Sequence, residues 1–216
     1  MTTFAWSGDI DKTRETIELT EEDNVTEREP RRLIVGISGA SGAVYGVRAL
    51  HALRECGVQS HLVVSKAAEI TLKHELGTTS VALREVAHAW YPAADIGAAI
   101  SSGSFITMGM LVLPCSVRTM SEISTGVTSS LLSRAADVVL KERRRLVLGL
   151  RETPLHTGHL RTMTNLSEMG AVIAPIVPAH YALPESLDDV VNHTVGRLLD
   201  LFGIHTGLVK RWEGRS

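Results

Sequence analysis

Several short stretches of this chain hold side chains suited to gripping an anion or moving a proton. Gly36-Ile-Ser-Gly-Ala-Ser-Gly42 combines three glycines with the hydroxyls of Ser38 and Ser41. Glycine permits a tight turn, and a helix that opens straight after it offers free N–H groups and the positive end of its dipole. Such a turn suits a phosphate. It equally suits a plain glycine turn with serine caps. Its spacing is neither GxGxxG nor GxxxxGKS, so neither a dinucleotide fingerprint nor a P-loop is indicated. Ser65-Lys66 and Pro114-Cys-Ser-Val-Arg-Thr-Met120 add hydroxyls at two further places. Ser65 is a good helix N-cap. It is also in reach of the same phosphate, because adjacent parallel strands lie only about 5 Å apart. Ser116 and Thr119 are placed to open a helix. Arg151-Glu152-Thr-Pro154 sets a charged pair beside a proline. Burying such a pair is costly, so it is solvated or functional, and its place at a strand exit favours function.

Other groups are weaker signals. His156-x-x-His159 has the spacing of two ligands on one helix face, but no third ligand is evident, so no metal is expected. Cys115 has no histidine near it in sequence and fits a small buried residue better than a nucleophile. Arg134, Asp137 and Lys141 fall at i, i+3 and i+7 on one helix face, opposite Leu131, Leu132, Ala135, Val138 and Val139. A solvated face with an Asp137–Lys141 ion pair four residues apart explains that stripe. Arg197 flanks the apolar stripe Val191, Val195, Leu198 and Phe202. Tyr181 lies between Pro178 and Pro184, in a segment stiffened by three prolines.

These groups must be positioned by regular elements, and the chain alternates between two kinds. Leu33–Ile37, His61–Val64, Met110–Leu113, Leu146–Leu150 and Ala171–Ala174 are short apolar runs rich in β-branched residues. Pro114 is expected to end the third. Between and after them, helical spacing predicts helices over Ala43–Cys56, Lys66–Leu76, Ser129–Arg143, His156–Met169 and Leu187–Phe202. Strands apolar on both faces and separated by helices imply a covered parallel sheet. The expected class is therefore α/β, a doubly wound parallel sheet that is Rossmann-like with flavodoxin-like layering. Ligands of such sheets bind beyond the carboxyl ends of the strands, where the glycine loop, Ser65, Ser116 and Arg151 all fall.

Composition sets the outer bounds. The 216 residues are 44% apolar and 21% charged, enough for a real core without disulfides or structural metal. Two cysteines far apart, Cys56 and Cys115, fit a reducing cytoplasm. No apolar run approaches the roughly 18 residues of a membrane span. A net charge of −2 gives no reason to expect nucleic acid. The charge is unevenly spread: residues 1–30 hold nine acids and three bases, a balance of −6, which leaves +4 for residues 31–216. That opening lacks apolar periodicity and is expected to be a disordered acidic tail ahead of one domain over residues 31–216. It lacks the apolar core of a secretory signal and is too acidic for a transit peptide.

Taken together, the motifs resemble one family. Gly36-Ile-Ser-Gly-Ala-Ser-Gly-Ala-Val-Tyr-Gly46, Ser101-Ser-Gly-Ser104, Pro114-Cys-Ser116, Ala135–Arg144, Arg151-Glu-Thr-Pro154, Gly170-Ala-Val-Ile173, Pro178-Ala-His-Tyr181 and Lys210-Arg-Trp212 are similar to the flavin prenyltransferases. Members of that family were formerly described as small aromatic-acid decarboxylase partners. The resemblance spans about residues 31 to 213. It implies an FMN-binding enzyme that joins a dimethylallyl group from dimethylallyl monophosphate to N5 and C6 of reduced FMN, without a metal. The prenylated FMN would serve a partner decarboxylase, and the family forms large symmetric homo-oligomers, often dodecamers.

Carried over residue by residue, the resemblance implies FMN contacts at Gly39, Ala40, Ser41, Ser65, Ser116, Val117, Arg118, Thr119 and Arg151. Tyr181, Arg197 and Lys141 resemble the prenyl-phosphate site, and Arg134, Glu75, Glu152 and Trp212 match further active-site positions. Glu152 is the candidate for proton traffic, while Lys141, Arg197 and Tyr181 would stabilise the departing phosphate. Family members often carry Phe in place of His180, and some a Trp in place of Ile96, with Trp90 and Tyr91 as nearby substitutes. Two alternatives share the fold: an FMN-dependent cysteine decarboxylase, and a non-catalytic FMN carrier or subunit of an aromatic-acid decarboxylase complex. Arg151-Glu152 with Lys141 and Tyr181 argues against the first. The acidic segment lies outside the family core, so deleting residues 1–28 is expected to leave turnover intact. A large loss of activity on that deletion would refute this.

Overall fold

A computed structural model describes residues 30–212 and 214. The acidic opening, apart from Pro30, lies outside the described residues. Six strands form one sheet: β1 (Arg32–Ile37), β2 (Gln59–Val64), β3 (Ala89–Tyr91), β4 (Gly109–Cys115), β5 (Arg145–Leu150) and β6 (Val172–Ile173). Every neighbouring pair is parallel, in the order β3-β2-β1-β4-β5-β6. The connecting helices are α1 (Ala43–Glu55), α2 (Lys66–Leu76), α3 (Val117–Thr125), α4 (Leu131–Lys141), α5 (Thr157–Glu168) and α6 (Leu187–Asp200). Strand order reverses between β1 and β4, so a crevice opens at their carboxyl ends.

Alternation along the strands divides the core. Leu33, Val35, Ile37, Leu62, Val64, Leu111 and Leu113 pack on one face against α1, α2 and α6. Ile34, Val63, Met110, Val112, Leu146 and Leu148 pack on the other against α3, α4 and α5. With both faces covered, β1, β4 and β5 and the second half of β2 are apolar on both faces, which is what made them visible in the sequence.

The helix starts are chemically specified. Ser65 Oγ accepts from Ala68 N at 3.2 Å and caps α2, and Ser116 Oγ accepts from Thr119 N at 3.3 Å and caps α3. Ser130 and Ser133 form a capping box on α4, as Ser186 and Asp189 do on α6.

The structure corrects three expectations. A sixth strand, β3, lies at the edge of the sheet; its three residues are too few for a periodic signal. Pro114 does not end its strand. β4 runs on to Cys115 through an irregular register between Val112 and Cys115, and Cys115 joins the face of Met110 and Val112 rather than that of Leu113. The proline removes a ladder donor and the strand absorbs it as a bulge. The helix expected over Ser129–Arg143 is shorter, because Ser130 is its cap and Arg143 turns left-handed at φ +56° to start β5.

Candidate active site

A cavity of about 330 Å³ lies at the carboxyl edge of the sheet. Gly39, Ser65, Ser116, Arg118 and Thr119 all line it, so five of the residues matched to FMN contacts meet in one place. Lys66 and Ser130 line it too. The N-termini of α2, α3 and α4 therefore converge on this space, with their dipoles and hydroxyl caps. Ser130 is a lining residue that sequence reasoning passed over; its capping-box serine pair was the available signal.

Gly39 is there for space. A Cβ at this position would lie 2.5 Å from the Cβ of Ala67, in the first turn of α2. The glycine lets the loop after β1 pack on the wall of the cavity. We predict that Gly39→Ala displaces the loop, weakens FMN binding by about tenfold or more, and destabilises the fold by about 1–3 kcal/mol. Flavin fluorescence titration and thermal melting measure both effects. Wild-type affinity in that variant would remove Gly39 from the site.

The glycine loop itself is arranged differently from a simple phosphate cradle. Ser38 is fully buried; its Oγ donates to the Pro114 carbonyl at 2.8 Å and accepts from Ser116 N at 2.7 Å. It clamps the exits of β1 and β4 together and has no hydroxyl left for a ligand. At Gly42, which adopts φ +99°, the N–H donates to both oxygens of Glu75 at 3.1 and 3.0 Å. Ala43 N donates to the same carboxylate at 2.9 Å. A side chain from the end of α2 thus fills the anion position at the start of α1. Burial works against ionising Glu75, but the hydroxyl of Ser41, the N–H groups of Ala43 and Gly42, and the charge of Arg151 outweigh it. Its carboxyl is held below the ordinary range. Ser41, Glu75 and Arg151 are therefore electrostatically joined beside the cavity.

Ala40 is buried under the loop, and Val117 opens α3 half-buried. Arg151 N donates to the Cys115 carbonyl at 3.0 Å, which fixes the exit of β5 beside that of β4. The Arg151 and Glu152 side chains are exposed, and Glu152 Oε1 accepts from Thr153 N at 3.0 Å. Cys115 is fully buried, and burial pushes its thiol up to about 12, so it is no nucleophile. His156 accepts from Gly158 N and His159 N through Nδ1, capping α5, and its ring stacks on His159 at 3.6 Å. Two stacked rings with one nitrogen committed to a cap do not converge on an ion. Among the described residues no group of three or more His, Cys, Asp or Glu side chains is placed to hold a metal.

The remaining candidates lie elsewhere. Arg134, near the cavity end of α4, pairs with Asp137 at 2.7 Å, so the expected Asp137–Lys141 pair does not form; Lys141 pairs with its neighbour Glu142 at the far end of that helix. α4 starts at the cavity and ends where β5 begins, at the amino edge of the sheet. Eleven residues make it about 16 Å long, so Lys141 is remote from the cavity of its own chain. Tyr181, Arg197 and Trp212 form another group. The Tyr181 hydroxyl lies 3.2 Å from His193 Nε2, and the Tyr181 and Trp212 rings meet edge-on at 6.1 Å. Arg197 pairs with Asp200 in the last turn of α6. That end of α6 sits at the amino edge as well, since Arg145, the first residue of β5, donates to the Leu201 carbonyl. Trp90 lies under Arg84 at 3.7 Å and the Tyr91 hydroxyl bonds His61, so both substitutes for an aromatic at Ile96 are committed elsewhere.

Comparison with known proteins gives this geometry its context. Residues 21–199 match the family described as Flavoprotein. The flavin prenyltransferase UbiX of Escherichia coli K12 is 58% identical over 190 residues, which cover 85% of this chain and 99% of that protein. The chain belongs to the flavin prenyltransferase family. As a member, it is a flavoprotein and an enzyme. Solved structures agree. AnUbiX (PadA1), in complex with FMN and dimethylallyl pyrophosphate, superposes with a TM-score of 0.85 at 47% identity, covering 87% of this chain and 100% of its own. A dodecameric FMN-dependent Ubix-like decarboxylase from Escherichia coli O157:H7 gives 0.82 at 48% identity, covering 85% and 100%. Among the described residues no helix is long and apolar enough to cross a membrane.

Within this family the division of the candidates acquires a meaning. One chain presents the cavity at the carboxyl edge of its sheet, and Lys141 and Arg197 at the other edge. Lys141 and Arg197 are thus set at the opposite end of the subunit from the cavity.

Proposed function

We propose that this chain transfers a dimethylallyl group from dimethylallyl monophosphate to N5 and C6 of reduced FMN, and that several copies assemble to complete each site. The convergence of the α2, α3 and α4 N-termini on one cavity carries this reading. Those N-termini, with Ser65, Ser116 and Thr119, suit the flavin's phosphate, and Gly39 and Ala40 leave room for it beside Arg118 and Val117. The residues present fit the substrate, whose reduced ring supplies the nucleophilic atoms.

The protein's own tasks follow from its residue types. A monophosphate is a poor leaving group, so the electron pair of the breaking C–O bond must be stabilised as the phosphate departs. Lys141, Arg197 and the Tyr181 hydroxyl supply cations and a donor for that charge without metal. Arg134 adds a further cation, and Trp212 an apolar wall for the prenyl chain. Glu152 takes the proton that N5 gives up as the N5–C bond forms and passes it to the departing phosphate, while closure onto C6 moves the C6 proton to the CH carbon of the prenyl double bond. Glu75 holds the loop that carries Ser41 and orients Arg151 toward the flavin. Because Lys141 and Arg197 are remote from the cavity of their own chain, they act in the cavities of neighbouring copies. A homo-oligomer, as in the dodecameric relative, is then a requirement of the chemistry. The prenylated flavin leaves as product for a partner decarboxylase, in the cytoplasm that the two free thiols suit.

Anaerobic incubation with reduced FMN and dimethylallyl monophosphate, followed by mass spectrometry of the released flavin, tests this. A flavin heavier by one C5 prenyl unit is the expected product. Unmodified flavin with both dimethylallyl monophosphate and the pyrophosphate would overturn the proposal and favour an FMN carrier or decarboxylase subunit.

A further inference from the structure

One acid on α6 was matched to no function. Asp200 closes that helix, and an acid in the last turn opposes the helix dipole unless cations hold it there. Its side chain is only 8% exposed and is surrounded by two arginines and a histidine. Arg197 NH1 donates to Oδ2 at 2.9 Å. Arg211 donates to Oδ2 at 3.2 Å and to Oδ1 at 2.8 Å, and His205 Nδ1 lies 2.9 Å from Oδ1. Burial disfavours the charge, but the hydrogen bonds of Arg211, His205 and Arg197 prevail, and the carboxyl is held down at about 2. It is ionised wherever the protein works.

The contacts close a ring. Arg211 precedes Trp212, Trp212 meets the ring of Tyr181, and the Tyr181 hydroxyl meets His193, one turn before Arg197 on α6. One carboxylate therefore ties the arginine of the prenyl-phosphate site to the segment that covers the tyrosine of that site. Arg197 remains half-exposed, and its guanidinium has five N–H donors, of which Asp200 engages one. The other four have no protein partner among the described residues and remain available to an anion.

We infer that Asp200 is a positioning residue for prenyl-phosphate recognition: it orients Arg197 and docks the Arg211-Trp212 segment, so that the donor's phosphate meets a preformed site. This rests on the reading of Arg197 as a prenyl-phosphate residue. A charge role and a positioning role predict opposite outcomes. Removing a carboxylate from among cations would tighten phosphate binding if only charge mattered. Losing the fixed guanidinium geometry would weaken it.

The test is steady-state kinetics of anaerobic FMN prenylation with dimethylallyl monophosphate, FMN affinity by fluorescence, and thermal melting, on the full chain. Asp200→Asn is expected to raise KM for dimethylallyl monophosphate about tenfold and to lower kcat with it, with FMN affinity unchanged. Added to Arg197→Ala it should raise KM by clearly less than the roughly tenfold it causes alone, because part of its effect passes through that arginine. Asp200→Glu keeps the charge, moves the carboxylate by one methylene, and should show the same KM rise; it also serves if the asparagine variant does not fold. An unchanged or lowered KM, a wild-type Asp200→Glu, or a multiplicative defect with Arg197→Ala would each overturn the inference. The two failures are distinguishable: no turnover by wild type, or a wild-type KM in Arg197→Ala, removes the role of Arg197 and this inference with it. An impaired Arg197→Ala beside a normal Asp200→Asn removes the inference alone.

Discussion

Lys141→Ala is expected to lose about 10²–10³-fold in single-turnover prenylation, with FMN still bound, because the departing phosphate loses a charge that forms part of its stabilisation. Glu152→Gln should lose a comparable factor by interrupting proton transfer. The fold adds a sharper expectation. Glu152 follows β5 at the carboxyl edge, whereas Lys141 ends α4 at the amino edge. If the two act together across a subunit boundary, co-assembled Lys141→Ala and Glu152→Gln chains contain some sites with neither defect. Mixed oligomers should therefore recover a measurable fraction of wild-type activity that the separate variants lack. Wild-type rates in both single variants would dismiss the assignments. Two inactive variants that fail to complement after verified subunit exchange would place both residues in one chain's site.

The second large effect concerns stability against acid. His61 on β2 is 4% exposed, with Nδ1 2.8 Å from the Tyr91 hydroxyl and the Phe105 ring edge-on at 5.0 Å. Its Nε2 is buried with no partner among the described residues. Burial first, then the charges of His88 and Arg32, push its pKa down to about 4 from 6.5. The unfolded chain thus takes up a proton between those values that the folded chain refuses. Stability from this group is complete above pH 6.5 and falls as pH drops toward 4, by about 3 kcal/mol in all. Urea midpoints measured across this range should decline steeply for wild type. In His61→Gln, which keeps a polar partner for Tyr91 but does not titrate, the decline should flatten. An equal slope in both proteins would assign the acid sensitivity to other groups.

The sequence announced the parts of the fold that repeat a pattern. β1, β2, β4 and β5 are apolar on both faces, and α1 and α6 carry stripes, so the doubly wound sheet was legible. β3 has three residues and no period. Pro114 reads as a strand end because a proline normally removes a ladder bond, and only the neighbouring strands show how β4 bulges around it. The site was legible where chemistry is local: Ser65 and Ser116 stand at strand exits and serve as caps. It was illegible where the partner is distant in the chain. Nothing near Gly42 announces that Glu75, 33 residues on, will accept its N–H. The stripe of Arg134 and Lys141 marks a helix face, yet a single sequence holds no record of the neighbouring copy that such a face addresses. Asp200 did leave a trace, as an acid at the wrong end of a helix, with Arg197 one turn behind it.

The carboxylate of Glu75 at the start of α1 bears on what happens after the bond-forming steps. In an enzyme that keeps its flavin, the loop donors would be satisfied by the ligand, and emptying the site would leave them bare. Here the chain satisfies Gly42 and Ala43 itself, so this end of the loop is held without a ligand. Departure of the product then leaves these two donors satisfied. A protein that must hand over its flavin once per cycle is thereby ready to receive the next one.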